Sequence, residues 1–289
     1  MRNSNDVVGL ASQRAKVIMG SSFGSRMVKE LANGQDPLAV LVLLFLSAAD
    51  GWYDRQEAIE ALGQLKGDLA LIAIRSALLD TDEAVRGTAA QVLGRVGNRS
   101  DIGRLIHAAQ DVDYEVRRSA ALSLGYLGGP RVRRTLMAMY FTEKNKFVLR
   151  DIVRGLGELH SKAVTPFLEA VLCDKPHLIV RAEILYQLYV TGDHSKIEEL
   201  LDMLPKSNVL LRRNIANAIE PSSVRLEDLA VIELRMQMQL ASEDPEDGDG
   251  VAGDIKTLLE LIRDERATRL SSLGLNSSGE SDPVRAPSP

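Results

Sequence analysis

Apolar and small residues recur at fixed offsets through the middle of the chain. The segment VRGTAAQVLGRVG at residues 85–97 returns as VRRSAALSLGYLG at residues 116–128, 31 residues later. Weaker copies begin upstream at Arg55 and downstream at Val148, Val180 and Leu211. Self-similarity at this period is the signature of helix pairs stacked in an array.

Each copy is predicted to contain two helices joined by a short acidic turn. In the first clear copy the helices span residues 69–79 and 84–96, and the turn is Asp80-Thr81-Asp82. In the next copy they span residues 102–109 and 115–127. Apolar residues lie on more than one side of each helix, so each helix must be sandwiched between neighbours. The pattern therefore predicts an all-α solenoid.

The regular pattern stops at both ends of the chain, and this sets the predicted domain organisation. Gly20 and Gly24 interrupt the N-terminal helical stretch, and the repeat signature is lost after Pro221. The segment SEDPEDGDG is acidic and glycine-rich, which is typical of a flexible linker. The predicted domains are an N-terminal helical cap (1–35), the repeats (36–221), a capping helix (222–241), an acidic linker (242–251), an amphipathic helix (252–270) and a disordered tail (271–289).

The spacing of Asp and Arg residues predicts a ladder of ion pairs along the array. An Asp in each turn is placed to cap the second helix, and the Arg that follows is placed to reach the turn of a neighbouring repeat. We interpret this ladder as structural rather than as a ligand site. Its predicted members are Asp80 with Arg86, Asp111 with Arg117, and Asp174 with Arg181.

The composition excludes several classes of site. The single cysteine, Cys173, excludes an internal disulfide or a cysteine-rich metal centre, and its apolar context predicts a buried thiol. The four histidines are scattered, no phosphate-binding glycine loop is present, and we expect no metal site. The longest apolar run, residues 38–46, is far short of the roughly 20 residues that cross a membrane. The N-terminus has no apolar signal segment, so we expect a cytoplasmic protein with no membrane partner.

The repeat pattern Asp-x-x-x-x-Val-Arg-x-x-Ala-Ala-x-x-Leu-Gly-x-Leu-Gly resembles HEAT repeats. In this short form it is similar to the HEAT-like repeats of phycobilin lyases of the E/F type, over roughly residues 36–221. The resemblance implies a right-handed superhelix of antiparallel helix pairs, whose second helices line the concave face. A fold shared by so many scaffolds implies its function only by analogy.

Charge is distributed unevenly along the chain. The whole chain carries −5, but residues 85–154 contain 13 Lys and Arg against 6 Asp and Glu, a local charge of +7. If the second helices line a concave face, some of these cations point inward beside tyrosines. This face is either an anion-binding groove or a solvated stripe. The residues of the proposed basic groove are Arg118, Arg150, Arg154, Tyr114 and Tyr126.

The resemblance implies a bilin lyase or a lyase subunit, which aids the attachment of a tetrapyrrole to a phycobiliprotein cysteine. The implied partners are a phycobiliprotein subunit and a second HEAT-repeat subunit, with the bilin as substrate and no cofactor. The arginines of the groove would pair with the bilin propionates, and Glu115 or Asp151 would assist protonation, although the catalytic residues stay unknown. The alternative is a non-enzymatic scaffold that holds a protein partner on its concave face. Overall acidity and scarce aromatics argue against a nucleic-acid platform.

Overall fold

The chain folds into helices, as the repeat pattern predicted. The computed structural model describes residues 4–21, 24–33, 37–65, 67–204, 215, 219, 221–242 and 251–273, and every regular element in these ranges is helical. The all-α solenoid is therefore confirmed, while the hand of its superhelix stays a prediction. The chain divides into two compact units, Met1–Val164 (unit 1) and Thr165–Pro289 (unit 2). This division falls inside the predicted repeat array.

Unit 1 contains ten α-helices in its described part, and from α3 onward they follow one another as pairs. The second helices of the pairs, α4, α6, α8 and α10, pack directly on one another in series and form what we call the second-helix layer. The first helices α5, α7 and α9 pack on the second helices of their own pairs. The helices are α1 Ser4–Met19, α2 Gly24–Ala32, α3 Ala39–Leu46, α4 Trp52–Leu65, α5 Asp68–Ala77, α6 Glu83–Val96, α7 Ile102–Ala108, α8 Tyr114–Leu127, α9 Pro130–Thr142 and α10 Lys146–Gly157.

Small residues bring the second helices into close contact. A Cβ added at Gly94 of α6 would lie 2.4 Å from Ser123 Oγ of α8, and one added at Gly125 would lie 2.5 Å from the carbonyl oxygen of Gly155 in α10. The buried Ser123 hydroxyl donates to the Ala90 carbonyl oxygen of α6 at 2.8 Å. Larger side chains at these contacts would force the helices apart. The Leu-Gly pairs of the repeat thus set the spacing of the second-helix layer.

In its described part, unit 2 combines three further helices of the array with a terminal pair of helices. Helices α11 Thr165–Cys173, α12 Leu178–Val190 and α13 Lys196–Leu201 pack in sequence. The helix Leu226–Ser242 packs along the helix Val251–Ser272. The latter helix buries Ile255, Leu258, Leu259 and Ile262. Most of the weak copy predicted to begin at Leu211 lies outside the described residues, as do residues 243–250 of the predicted linker and residues 274–289 of the predicted tail.

Two hydrogen-bonded clusters hold the terminal elements of unit 2. The buried Tyr189 hydroxyl donates to Asp228 Oδ2 at 2.7 Å and accepts from the Arg225 backbone N–H at 2.9 Å. Arg269 donates to the carbonyl oxygens of Ser222 and Val224, both at 2.6 Å, and so provides hydrogen-bond donors for the backbone carbonyl groups of the turn after Pro221. None of the described helices is both long enough and apolar enough to span a bilayer.

Candidate functional site

Three arginines at the start of successive second helices form an ion-pair ladder in unit 1. The middle rung is representative: Arg86 donates from Nε and Nη2 to the two Asp111 carboxylate oxygens at 2.7 and 2.9 Å. Its Nη1 donates to the backbone carbonyl oxygens of Asp80 and Thr81, in the turn of its own repeat. Each arginine therefore joins its own turn to the next one. The rungs are Arg55–Asp80, Arg86–Asp111 and Arg117–Glu143.

The predicted caps of these helices were assigned to the wrong aspartates. Asp82 caps α6 by accepting from the Ala84 N–H at 2.9 Å, and Asp113 caps α8 by accepting from the Glu115 N–H at 2.9 Å. Asp80 and Asp111 lie two residues earlier, too far from the helix start to reach its free N–H groups. Asp80 instead accepts hydrogen bonds from the Asp82 N–H and from Arg55 of the preceding repeat. Asp111 likewise accepts hydrogen bonds from the Asp113 N–H and from Arg86. Burial opposes ionisation of Asp111, but Arg86 and the Asp113 N–H hold its pKa below the ordinary value.

The predicted third pair, Asp174 with Arg181, is not formed in unit 2. The N-cap of α12 is His177, whose Nδ1 accepts from the Ile179 N–H at 3.2 Å. Asp174 lies in the preceding turn and is exposed. Arg181 pairs with Glu199 of α13. Residues 174–177 separate α11 from α12, and the N-cap position of this turn is held by His177 rather than by an aspartate.

The structure brings Arg118 and Arg150 together on a buried carboxylate, Asp151. Arg118 Nε donates to Asp151 Oδ2 and Arg150 Nε donates to Asp151 Oδ1, each at 2.7 Å. Arg118 Nη1 also donates to both oxygens of Glu115, at 2.9 and 2.8 Å. Burial lowers the pKa of Arg118, but the carboxylates of Asp151 and Glu115 outweigh it and raise the pKa above its ordinary value. We call these four residues the α8–α10 cluster.

The α8–α10 cluster is balanced in charge, and this changes the interpretation of the predicted groove. Its two arginines face two carboxylates, so it carries no net positive charge. The Asp151 side chain is only 1% exposed and both of its oxygens accept from guanidinium groups, so it orients the arginines and does not face a ligand. The remaining members of the predicted groove on α8, Tyr114 and Tyr126, are 40% and 54% exposed.

The other predicted groove residues take different positions. Arg154 is half-buried on α10. The hydrogen bond between Tyr114 and Glu115 raises the pKa of the Tyr114 phenol. The role of Asp151 in joining α8 to α10 was missed because its main partner, Arg118, lies one full repeat earlier. The signal that could have found it is an Asp at the position held by Ser119 in the preceding copy.

The unpaired cations of the central repeats lie mainly outside the second-helix layer. Arg131 and Arg134 of α9 are exposed, as is Lys144 in the following turn. Within the ranges that the structure describes, the side chains of these three residues make no ion pair. Three of the positive charges therefore reach the surface on the first helix α9 and in the turn that follows it.

Cysteine and metal chemistry find little support in the described part of the chain. Cys173 is exposed, so the predicted buried thiol is wrong. It ends α11, whose buried residues Leu168 and Val171 point to another side of the helix. No group of three or more His, Cys, Asp or Glu residues in the described ranges is arranged to hold a metal ion.

Comparison with known proteins identifies the repeats. Residues 38–125, 71–151 and 102–189 match the family of HEAT repeats, and together they cover more than half of the chain. The chain is 28% identical over 173 residues to "Phycocyanobilin lyase subunit alpha" of Picosynechococcus sp. (strain ATCC 27264 / PCC 7002 / PR-6). That alignment covers 52% of this chain and 63% of the relative, so less than two thirds of the relative's length is spanned.

Two solved structures align with this chain to different degrees. The complex of CpcE and CpcF of phycocyanin lyase from Nostoc sp. PCC7120 aligns with a TM-score of 0.55 at 18% identity, over 77% of this chain and 94% of that chain. Human deoxyhypusine hydroxylase in complex with glycerol aligns with a TM-score of 0.36 at 18% identity, over 89% and 97% of the two chains. The first similarity supports the solenoid fold, and the second is too low to support a conclusion.

Proposed function

The chain belongs to the HEAT-repeat family, and on this premise we propose that it is a bilin lyase subunit. It would aid the covalent attachment of a tetrapyrrole to a cysteine of a phycobiliprotein. The observation that carries this proposal is the 28% identity over 173 residues to a relative named as a phycocyanobilin lyase subunit. Similarity of that length goes beyond the short repeat signature that many unrelated solenoids share.

The chemistry of attachment places modest demands on the lyase. The acceptor's thiol adds across a carbon–carbon double bond of the bilin: a sulfur–carbon bond forms, and the thiol proton ends on the neighbouring carbon. No electrons are gained or lost overall, so the step needs no redox cofactor. The acceptor protein supplies the reacting thiol, so the low cysteine content of this chain does not conflict with the proposed reaction. The main contribution of the chain is to hold the bilin and the thiol in a productive orientation.

We propose that the exposed side of α8 contacts the bilin. Tyr114 and Tyr126 offer half-exposed aromatic rings, which can stack on pyrroles. Arg118 uses Nε and Nη1 for its carboxylates, which leaves Nη2 for one bilin propionate. Because Asp151 already fixes this guanidinium, little side-chain freedom is lost when the propionate binds. One oriented arginine and two tyrosines of the same helix, rather than a broad basic groove, would then contact the bilin.

We propose two protein partners. A phycobiliprotein subunit is the acceptor that the reaction requires. A second HEAT-repeat subunit is suggested because the relative is named as a subunit, and because the similar solved structure is a complex of two lyase proteins. Neither partner is needed to explain the fold of the chain.

Co-expression in a host that makes phycocyanobilin tests the proposal. The chain is produced with a phycobiliprotein subunit, with and without a candidate second subunit, and bilin fluorescence is read on a denaturing gel. We expect a fluorescent acceptor band that depends on this chain. Tyr126→Ala should weaken the band, whereas Tyr53→Ala is the matched control, because Tyr53 is similarly exposed but lies on α4. No band with any acceptor or second subunit would favour the scaffold alternative.

A further inference from the structure

The surface between consecutive first helices carries the same groove twice. Between α5 and α7 it is a small pocket of about 160 Å³, and between α7 and α9 it is an open pocket of about 680 Å³. The two pockets are built by equivalent positions, 31 residues apart. The first is lined by Arg75, Leu78, Leu79, Arg104, His107 and Ala108, and the equivalents in the second are Ile106, Ala109, Gln110, Thr135, Ala138 and Met139.

Substitution of large side chains by small ones explains the difference in size. Arg104 and His107 of the first pocket correspond to Thr135 and Ala138 in the second, which reach much less far from the helix. Arg75 of the first pocket is drawn to the buried Asp101 by two hydrogen bonds, at 2.8 and 3.0 Å. The second pocket therefore occupies the equivalent groove, in which smaller side chains take the place of Arg104 and His107. We call it the α7–α9 pocket.

The α7–α9 pocket combines an apolar floor with uncompensated positive charge at both ends. Ile106, Ala138 and Met139 form much of the floor. Arg131 lies one helical turn before Thr135 on the same face of α9, and Arg134 borders that face. Lys144 lies at the opposite end, among the lining residues.

Two further features leave this surface open to an extended ligand. Gly103 of α7 lies one turn before Ile106, and a Cβ added there would meet no atom within 4 Å, so no side chain obstructs the surface next to the pocket. The carboxylates at the rim, Asp111 and Glu143, are each bound by an arginine of the ladder. They therefore add little negative potential that would repel an anionic ligand.

We propose that the α7–α9 pocket binds an acidic peptide segment of a partner protein, with one apolar side chain of that segment seated on the floor. The positive charge at both ends of the pocket would attract and align the acidic segment. The apolar floor would select the apolar residue of that segment. A volume of about 680 Å³ is within the range of ligand sites. This inference is independent of bilin attachment, because it uses the other helix layer and residues outside the α8–α10 cluster.

Peptide binding to the full chain, measured by fluorescence anisotropy at low salt, tests this proposal. The probes are the labelled peptides EEELEEE and EEENEEE, which have equal charge and differ only in the central residue. We expect the leucine peptide to bind about tenfold more tightly, as burial of one aliphatic side chain predicts. Equal affinity for the two peptides would overturn the proposal, because it would show attraction by charge alone.

A double substitution separates pocket binding from general attraction. Thr135→Arg with Ala138→His restores the side chains of the preceding copy, so it adds positive charge while it fills the pocket. We expect the preference for leucine to disappear. A preference that survives in the folded double variant would contradict the proposal. If that variant fails to fold, Ala138→Leu fills the floor without added charge and should give the same loss.

Charge variants and a nucleic-acid probe complete the experiment. Arg131→Glu with Arg134→Glu should weaken binding of the leucine peptide about tenfold or more, whereas Lys29→Glu, on an exposed face of α2, should leave it unchanged. An equal loss in the Lys29 variant would refute binding at the pocket. A seven-nucleotide thymidine oligomer that binds more tightly than EEELEEE would identify a nucleic-acid surface instead and overturn the peptide assignment.

Discussion

The close contact between α8 and α10 makes a strong prediction for Gly125→Ala. The added Cβ would lie 2.5 Å from the Gly155 carbonyl oxygen and 2.6 Å from the Gly155 Cα. Both are backbone atoms, so no side chain can rotate away, and the two helices must separate. Overpacking typically costs about 1–3 kcal/mol, and a clash between backbone atoms of two helices belongs at the upper end of that range; the helix preference of alanine over glycine returns about 1 kcal/mol. We expect a net loss of about 2 kcal/mol in the free energy of unfolding.

Gly87→Ala is the matched control in the same layer of helices. Gly87 is also a buried glycine inside a second helix, α6, but a Cβ there would lie 3.9 Å from Ser119 Oγ, an ordinary contact. The helix preference of alanine then acts alone, and we expect a gain of about 0.5–1 kcal/mol. The two substitutions are chemically identical and should have opposite signs.

Thermal unfolding followed by far-ultraviolet circular dichroism measures both variants. With about 2–4 °C per kcal/mol for a domain of this size, the melting temperatures of the two variants should differ by about 6 °C or more. Hydrogen exchange of amides in α8 and α10 would show whether the loss is local to this contact. If Gly125→Ala is as stable as Gly87→Ala, the second helices are not held at the spacing described here.

Three other predictions concern charged and polar contacts. Arg86→Ala should lower the free energy of unfolding by about 1–3 kcal/mol, because Asp111 stays mostly buried without its partner. Arg95→Ala removes an exposed ion pair and should change the free energy of unfolding by less than about 0.5 kcal/mol. Equal urea midpoints for the two variants would disprove this. The pKa of Asp111 is lowered in the folded state, so the ionised carboxylate stabilises the fold. This contribution to the free energy of unfolding is complete above the unfolded pKa of about 4 and is lost as pH falls through the folded pKa. The stability gap between wild type and Arg86→Ala should therefore narrow below about pH 4 in urea titrations, and a gap that widens there would contradict the sign. Tyr189→Phe should destabilise unit 2 by about 1–2 kcal/mol, since it leaves the buried Asp228 oxygen with one hydrogen-bond partner fewer. Unchanged amide protection in α12 would show that this hydrogen bond contributes nothing to the stability of unit 2.

The repeat pattern predicted the fold well because it records which residues each helix must bury. Helices α6 and α8 begin and end within a residue of the predicted bounds. The glycines show the limit of the pattern: Gly87 and Gly94 look alike in the sequence, but only Gly94 has an atom of the next helix within 3 Å of an added Cβ. Steric room of this kind depends on the relative rotation of two helices, which a single sequence does not specify.

The candidate site was harder to predict, because its residues meet across repeats. Arg118 and Arg150 were expected to be anion-binding cations, yet they converge on Asp151, and Arg118 lies 33 residues earlier in the chain. The charge count located the basic region correctly but not the helices that expose it. Pairing removes the charge of the arginines in the second-helix layer, so the excess is left to residues such as Arg131 and Lys144.

The most direct test of the proposed function is the rate of covalent attachment with purified proteins. Phycocyanobilin and a phycobiliprotein subunit are mixed with the chain and a candidate second subunit, and bilin that stays bound to the acceptor after acid denaturation is followed by absorbance. We predict that omission of this chain slows attachment to the spontaneous rate, and that Arg118→Ala lowers the rate whereas Arg95→Ala does not. Attachment at the same rate with and without the chain would contradict the proposed function.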